Sequence, residues 1–489
     1  IVIDPYRSKT AEKADWHIAP LPGTDGALAL AMMHVLFRDN LIDQDYVSRF
    51  TIGLVGLKTR AMEWSPARAA VETGLSVETI EKLAREYGTT RPSAIRMNYG
   101  LNRAAGGGNT VRIIACLPAL VGDWRHVGGG IQLSSSGTYA QTTARLTRPE
   151  MVPQGTRTIN MSSLGEALDP GLKPPVKALY VYNSNPAAIA PDQNSVRSGL
   201  AREDLFVAVH DLFHTDTVDW ADIVLPATTV LEHTDILKSY GHLHLAINRP
   251  AIEPLGECRS NTEVFRQLAR HMGLTDPRLF EDDEALMEQA FDWSNPRLQG
   301  ISIERLNRET SVRLNVPAEW APFAEGNFPT ASGKCEFYSE TEKAAGRDPL
   351  PRYVPPREGP VSNPSLAKTY PLAFISPPAH HFLNSTFSAQ PIFVRREGGE
   401  PALTIHPDDA KARGIAEGQM VRTFNARGEF LAKAHVSDDA RKGVVVGLSV
   451  WWAKLCPGGR NANAVTGQAL TDLGGGATFY DVLVDVARA

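Results

Sequence analysis

Cysteine is scarce in this sequence, and the few that occur are scattered. Only 4 cysteines are found among 489 residues, and none belongs to a C-x-x-C pair. This spacing excludes a disulfide framework and encodes neither a zinc nor an iron-sulfur site. We therefore expect buried or idle thiols, and these are Cys116, Cys258, Cys335 and Cys456.

Long apolar runs and an excess of basic residues are also missing. No run of about 18 apolar residues occurs, so the sequence predicts no membrane-spanning helix. The formal net charge is −5 and no basic stripe is visible, which argues against nucleic acid as a partner. Neither a G-x-S-x-G elbow nor a G-x-G-x-x-G fingerprint is present, so no serine hydrolase or standard dinucleotide loop is indicated.

The sequence does contain enough apolar residues for several domains. A chain of 489 residues, 43% of them apolar, is too long to fold around a single hydrophobic core. A glycine-rich segment near residue 135 and a proline-rich linker at 349–364 divide it. We predict an α/β protein with Rossmann-like parallel-sheet domains at 1–135 and 136–360, followed by a β-barrel at 361–489, where short alternating apolar runs occur.

Three short apolar runs form the centre of the chain. The runs at 178–182, 205–209 and 223–225 are typical of parallel strands buried on both faces. Polar residues follow them at the sheet edge where open α/β sheets bind ligands: Asn185, His210, Asp211 and the segment 226–229. A turn at Asn185 and a helix cap at Asp211 are the structural alternatives.

Two amino-terminal segments also place polar groups at the ends of strands or helices. Asp4 follows a short strand and could accept hydrogen bonds from a ribose or a base, with an ordinary turn as the alternative. Thr24 and Asp25 precede an apolar helix and could act as its N-cap. The segment 106–108 is three glycines before another helix, which is a weak anion-binding signal or a flexible loop.

The carboxy-terminal third contains histidine-, amide- and tryptophan-rich segments. The segment 376–386 includes two adjacent histidines, but adjacent rings point in different directions and no third metal ligand is evident. Trp451 and Trp452 lie near the amide-rich segment 460–466, a combination that suits a flat heterocycle, while a core role is the alternative.

These motifs together resemble one enzyme family. The segments NP at 185–186, VHDLFHTDT at 209–217 and ADIVLPATTVLE at 221–232 are similar to those of the molybdenum or tungsten bis(molybdopterin guanine dinucleotide) oxidoreductases, the dimethyl sulfoxide reductase family. The resemblance implies α/β domains followed by a barrel of the double-psi type. It also implies a molybdenum or tungsten ion held by two dinucleotide arms.

The resemblance implies cofactor-binding roles for residues along the whole chain. Near the guanosine end of one arm these are Asp4, Pro5 and Arg7. Gly23, Thr24 and Asp25 would also contact the dinucleotide, and Tyr99, Gly100 and Arg103 would lie near the pterin. In the central and barrel segments they are Asn185, His210, Asp211, His233, Asn261, Ser376, His381, Asn384, Ser385, Asn463, Thr466 and Tyr480.

Two positions depart from the family pattern, and one residue carries a specific expectation. Asn261 replaces the usual aspartate that meets the guanine, and Leu243-His244 replaces the usual Arg-x-Gln. Guanine recognition at that arm is therefore expected to be weakened or rearranged. We expect Asn463 to hold one arm rather than support the fold, because its neighbours are small or polar and would bury little apolar area.

The implied function is a two-electron oxidation or reduction of a small substrate, with electrons relayed through a 4Fe-4S cluster. The implied partners are an iron-sulfur electron-transfer subunit and a membrane anchor subunit. The four-cysteine segment and the Cys, selenocysteine or Ser ligand of the metal would precede Ile1, so we expect a fragment that is inactive alone. Cytoplasm and periplasm both stay open as compartments.

One missing sequence pattern is the only feature that restricts the expected substrate class. Formate dehydrogenases of the family place R-G-Q-N where this chain has the segment 131–136, without arginine. A sulfur-, nitrogen- or organic-oxo substrate is therefore favoured over formate. A structural electron-carrying subunit and a plain sugar- or nucleotide-binding α/β module are the alternatives from other classes.

Overall fold

The structure, a computed structural model, describes residues 1–489. Its amino-terminal unit combines six helices with five short strands. In chain order these are β1 (Val2–Ile3), β2 (His17–Ile18), α1 (Asp25–Arg38), α2 (Gln44–Phe50), β3 (Thr51–Ile52), α3 (Leu54–Met62), α4 (Pro66–Thr73), α5 (Val77–Thr89), β4 (Ala94–Arg96), α6 (Gly107–Val121) and β5 (Gly130–Gln132). Strands β1 and β2 pair in parallel, as do β4 and β5.

Helix α1 lies at the centre of the largest hydrophobic core. It is apolar on every side, and ten of its 14 residues are buried, so it packs against neighbours all round. Helix α5 is amphipathic and buries Ile80, Leu83 and Ala84 against this core.

The three-stranded sheet predicted from the apolar runs follows. Its strands run parallel in the order β6-β7-β8, which confirms the parallel arrangement. The elements of this part are α7 (Thr143–Thr147), α8 (Leu164–Ala167), β6 (Ala178–Tyr182), α9 (Pro186–Ile189), α10 (Gln193–Leu200), β7 (Phe206–Asp211) and β8 (Ile223–Pro226).

The expectation that all three strands are buried on both faces is wrong. Strand β7 is largely buried, whereas Tyr182 on β6 and Ile223 on β8 are each 46% exposed. The reason is that β6 and β8 are the two edges of a three-stranded sheet, so each has a neighbouring strand on one side only.

An antiparallel sheet with the order β11-β10-β9 comes next. Strand β12 then pairs in parallel with β3 of the amino-terminal unit, and Phe337 is buried in that unit's core. The predicted boundaries at 135 and 360 assign β12 to the second domain, although it pairs with a strand of the first. The domain division stays a prediction. The elements are β9 (Asp235–Leu237), β10 (His244–Asn248), α11 (Asn261–His271), α12 (Asp283–Gln289), α13 (Ile303–Glu309), β11 (Ser311–Arg313), β12 (Cys335–Glu336), α14 (Glu340–Ala344) and α15 (Pro364–Ala367).

The carboxy-terminal part is a closed six-stranded barrel, as the alternating apolar runs predicted. The strand order around it is β13-β17-β14-β16-β15-β18, with the pairs β13-β17 and β14-β16 parallel and the others antiparallel. Its elements are β13 (Leu372–Ile375), α16 (Pro391–Arg396), β14 (Ala402–Ile405), α17 (Pro407–Arg413), β15 (Met420–Phe424), β16 (Glu429–Val436), β17 (Val444–Gly447) and β18 (Leu483–Arg488). No helix in the structure is both long and apolar enough to cross a bilayer.

Candidate functional site

Two buried hydrogen-bond acceptors at the carboxyl edge of the parallel sheet have no partner within the chain. His210 is fully buried at the end of β7, and its Nε2 lies 3.2 Å from the carbonyl oxygen of Arg259. A carbonyl can only accept, so Nε2 carries the proton and Nδ1 is an acceptor. This Nδ1 and the Oδ1 of Asn261, two residues beyond Arg259, are buried and unpaired. The sheet edge therefore suits a ligand that brings N–H donors.

The other predicted residues of this edge are held within the protein. Asn185 is buried, and its Oδ1 accepts from the backbone and hydroxyl of Thr217 at 3.0 and 2.8 Å. Asp211 accepts from the Leu212 backbone at 2.7 Å, and burial raises its pKa. His233 pairs with Thr228 at 2.9 Å. The Asn185 contact joins two distant segments, and Asp211 accepts from the next residue without capping a helix, so the cofactor roles of both residues stay predictions.

A second cluster joins the amino terminus to the end of the barrel. Burial raises the pKa of Asp25 to about 6, and the charge of Asp4 adds to this effect. Burial likewise raises the pKa of Tyr480 to about 12, where Arg103 opposes the shift and Asp4 adds to it. The Tyr480 backbone donates to the Arg103 carbonyl at 2.9 Å. Predicted residues from three distant segments therefore lie close together.

The remaining residues predicted for this cluster have structural contacts. The Thr24 hydroxyl donates to the Leu21 carbonyl at 2.7 Å and does not cap α1. Arg7 lies 3.9 Å from Asp439 of the barrel, and Tyr99 is 40% exposed. Pro5, Gly23 and Gly100 contribute backbone, with Gly23 at φ +75° and the Pro5 carbonyl accepting from Arg441 at 3.4 Å.

The glycine-rich amino end of α6 already meets an anion, and that anion belongs to the chain. Asp472 accepts from the backbone of Gly108 at 2.9 Å and of Asn109 at 3.2 Å. A Cβ on Gly106 would lie 2.2 Å from the Val354 carbonyl. The glycines therefore allow the chain's own segments to approach, and the anion that this helix end meets is an internal carboxylate, whose contacts fix the turn in place of a flexible loop.

The barrel loop at 376–386 connects these regions. Ser385 accepts hydrogen bonds from Asn185 at 3.0 Å and from the Trp452 indole at 3.0 Å. Asn384 adopts a left-handed backbone with φ 49°, and the Ser376 carbonyl accepts from Ser449 at 3.0 Å. The loop is therefore fixed against the parallel sheet.

Both histidines of this loop approach one carboxylate. His381 Nδ1 is 2.7 Å and His380 Nδ1 is 3.6 Å from Glu397. The expectation that the two rings point in different directions is therefore wrong. Sequence reasoning missed Glu397, because it lies 16 residues from His381 and no motif connects the two positions.

The packing argument made for Asn463 is also wrong. Every residue of the segment 461–466 is buried, and Asn463 is 2% exposed. The Asn463 amide donates to the Ala188 carbonyl at 2.8 Å, and its Oδ1 accepts from Thr466 at 3.2 Å. Thr466 also accepts from the Asp192 backbone at 3.2 Å. Asn463 and Thr466 thus connect the barrel to the parallel sheet.

Fold and site geometry together define a class of protein. It is an α/β protein that closes with a barrel and gathers polar groups at a parallel sheet edge, where nucleotides bind. Residues 1–271 match the family model described as molybdopterin oxidoreductase, and residues 372–483 match the one described as "Molydopterin dinucleotide binding domain". The first match covers more than half of the chain, so the chain belongs to the molybdopterin oxidoreductases, as a catalytic-subunit member of the dimethyl sulfoxide reductase family.

Individual relatives agree with this assignment. The probable oxidoreductase YoaE of Bacillus subtilis is 42% identical over 490 residues, covering 100% of this chain and 70% of that protein. The dimethyl sulfoxide/trimethylamine N-oxide reductase of Rhodobacter capsulatus is 30% identical, covering 91% of this chain and 60% of that protein. The structure of acetylene hydratase from Pelobacter acetylenicus superimposes with a TM-score of 0.81 at 24% identity, covering 100% of this chain and 73% of the other. That likeness shows the fold alone.

The residues present fit a guanine dinucleotide. The guanine edge carries a ring N–H and an exocyclic amine, which are donors, and His210 Nδ1 and Asn261 Oδ1 are buried acceptors without donors. The family's aspartate would offer two acceptor oxygens, whereas an asparagine amide offers one. The unpaired His210 nitrogen is a second acceptor at this edge, where His210 contacts Arg259, two residues before Asn261, so the substitution at 261 does not leave the edge with a single acceptor.

Proposed function

We propose that the chain forms most of a site for molybdenum or tungsten bis(molybdopterin guanine dinucleotide) and takes part in a two-electron oxidation or reduction of a small substrate. The observation that carries the proposal is the pair of buried, unpaired acceptors at His210 and Asn261. When bound, the metal would cycle between oxidation states and supply the redox chemistry.

The protein's own residues would bind and orient the two arms. His210 Nδ1 and Asn261 Oδ1 would accept from one guanine. Asp4, Asp25, Arg103 and Tyr480 would surround the other arm, where buried carboxyls can accept from a ribose or a base. The loop at 376–386 would lie between the two arms.

Electron relay through a 4Fe-4S cluster belongs to the proposal as well. Cys116 is buried in the amino-terminal core with the half-buried Cys335 packed against that core, while Cys456 is buried in a cluster beside the barrel. These thiols are too dispersed for a four-cysteine cluster. The cluster would need ligands from outside these 489 residues. An iron-sulfur subunit or a membrane anchor subunit would be the partner of the chain.

A sulfur-, nitrogen- or organic-oxo compound is the substrate class that we favour over formate, because the segment 131–136 lacks the arginine of formate dehydrogenases. The relatives include a reductase of dimethyl sulfoxide and trimethylamine N-oxide and also an acetylene hydratase. Family membership alone therefore does not fix the reaction.

The test is the metal and nucleotide content of protein matured in a host that makes the cofactor. We expect molybdenum or tungsten by elemental analysis and GMP released by acid hydrolysis. Asn261→Leu should lower GMP about tenfold, since one buried hydrogen bond to a ligand is lost. Asn307→Ala, at an exposed helix position, serves as the control. Wild-type protein with neither metal nor GMP would favour the non-catalytic structural subunit instead.

A further inference from the structure

Glu397 is a buried carboxylate that accepts four hydrogen bonds from the barrel loop at 376–386. Its side chain is only 7% exposed and follows helix α16. It accepts from the backbone of His380 at 3.2 and 3.1 Å, from the backbone of His381 at 2.9 Å, and from His381 Nδ1 at 2.7 Å. These hydrogen bonds hold the pKa of Glu397 below its usual value against the opposing effect of burial.

The contact with the carboxylate assigns the tautomer of His381. An ionised carboxylate only accepts, so Nδ1 of His381 carries the proton. Nε2 then has a free lone pair in the neutral ring, and it makes no hydrogen bond within the chain, in a side chain that is 34% exposed. The second nitrogen is thus a directed acceptor, as in carboxylate–histidine pairs that orient a ligating ring.

The position of this pair is at the meeting point of the predicted site segments. Ser385, four residues beyond His381, contacts Asn185 at the parallel sheet. On the other side, burial raises the pKa of Tyr6, and the charges of Asp439 of the barrel, of Glu12 and Asp4, and lastly of Glu397 add to this effect, so Glu397 lies within electrostatic reach of the amino-terminal segment. Both regions that would hold the dinucleotide arms therefore border the loop.

We propose that Glu397 is a positioning residue, which fixes the His381 ring so that Nε2 accepts a hydrogen bond from an N–H or O–H donor of a bound dinucleotide arm. The proposal rests on the proposed function for the identity of the ligand. It adds Glu397, which no sequence pattern indicated, and it assigns the atom through which His381 acts.

The first test reads the tautomer directly, without any bound cofactor. Protein labelled with 15N in its histidine rings is examined by long-range 15N–1H correlation spectra, and His381→Asn identifies the resonance among 13 histidines. We expect Nδ1 protonated in the wild type. In Glu397→Gln the side-chain amide can donate to Nδ1, so we expect the proton to move to Nε2. A wild-type ring protonated on Nε2 alone would overturn the proposal.

The second test measures GMP retained per protein after gel filtration of the matured enzyme. His381→Asn keeps a donor toward Glu397 but has no atom in place of Nε2, so we expect about a tenfold loss of retention. Glu397→Gln should lose a similar amount, and the double variant should lose no more than either one, because both changes remove the same contact. His380→Asn is the matched control, since the His380 ring lies 3.6 Å from Glu397, beyond hydrogen-bonding distance, and the two hydrogen bonds come from the His380 backbone, which the substitution keeps.

The outcomes separate this proposal from the proposed function. Wild-type protein with GMP, and both variants with GMP at the wild-type level, would reject the role of Glu397 and leave the function intact. Wild-type protein without GMP would reject the function and with it the ligand of His381, while the tautomer spectra would still report on the pair. A lower melting temperature of Glu397→Gln with unchanged GMP retention would show that the contact is only structural.

Discussion

The carboxylate of Asp472 caps the amino end of α6 from a distant part of the chain, accepting from the Gly108 backbone at 2.9 Å. The same carboxylate accepts from the Asn109 side chain at 2.8 Å. A helix amino end carries unpaired N–H groups and a partial positive charge, which a carboxylate satisfies. This contact fastens the segment between β17 and β18 of the barrel to the amino-terminal unit.

We predict that Asp472→Ala lowers the stability of the cofactor-free protein by about 1–2 kcal/mol, the usual effect of losing a helix cap. A fall in melting temperature of about 1 °C per kcal/mol would report it, since the unfolding entropy of a chain of 489 residues is about 1 kcal/mol/K. Asp438→Ala removes an exposed carboxylate that makes no hydrogen bond and should leave the melting temperature unchanged. Equal melting temperatures for both variants would contradict the capping role.

Gly108→Ala tests the same contact from the other side. Alanine inside a helix is ordinarily favoured over glycine by about 1 kcal/mol. Here its Cβ would lie 2.6 Å from the Leu473 Cβ and 2.9 Å from an Asp472 oxygen, and overpacking of this kind costs about 1–3 kcal/mol. We expect a net loss of thermal stability. At Gly137 nothing lies within 4 Å of the added Cβ, so Gly137→Ala is the control, and a stabilised Gly108→Ala would contradict the packing.

The parts of the fold that were predictable from the sequence are those set by local periodicity. Alternation along the barrel strands and the three apolar runs predicted a barrel and a parallel sheet, because strand and core patterns lie in neighbouring residues. Exposure of Tyr182 and Ile223 was not predictable, since it depends on which strand is an edge. Whether a strand lies at an edge depends on the order of strands in the sheet, which the sequence of one strand does not show.

The candidate site was predictable only where a motif carried it. His210 and Asn261 were found through their patterns, and both have the unpaired acceptors that a ligand would need. Asp472 and Glu397 were missed, because their partners lie 364 and 16 residues away and no local spacing marks them. The glycines before α6 indicated an anion-binding helix end, but no local pattern showed that the anion would be a carboxylate from the opposite end of the chain.

The stability of the cofactor-free protein should depend on pH through Asp481. Burial raises the pKa of this carboxyl to about 6, whereas an unfolded aspartate titrates near 3.9. The folded state therefore binds the proton more tightly, and its stability falls as pH rises from about 4 to about 6. The side chain is 6% exposed, and one oxygen has no partner. A shift of about two units corresponds to about 3 kcal/mol at most.

Asp481→Asn should remove this part of the pH dependence. Asparagine resembles the protonated acid, and its oxygen can still accept from the Ala105 and Arg357 backbones, which the carboxylate meets at 3.0 and 3.2 Å. We expect the wild type to lose melting temperature between pH 4 and pH 7 by more than the variant does. If melting temperature fell equally with pH in the two proteins, ionisation of Asp481 would not destabilise the folded state.

The sequence and the structure suggest different roles for Asn463, and a substitution there distinguishes the two roles. The sequence favoured a residue that holds a cofactor arm and supports little packing. In the structure its amide is 2% exposed and donates at 2.8 Å to the Ala188 carbonyl, which also accepts from Asn461 at 3.1 Å. Two asparagines of the barrel segment therefore hold one carbonyl at the carboxyl side of the parallel sheet.

Asn463→Ala should consequently destabilise the cofactor-free protein by about 1–3 kcal/mol, because a buried hydrogen bond is lost and its partner Thr466 loses an acceptor. The measurement is the melting temperature of the cofactor-free variant, with the exposed Asn307→Ala as control. A residue that only holds a ligand would behave in the opposite way, with an unchanged melting temperature of the cofactor-free protein and a loss of GMP from the matured enzyme. Since the carbonyl of Ala188 and the backbone of Asp192 are both fixed through this segment, we expect the fall in melting temperature to be the larger effect.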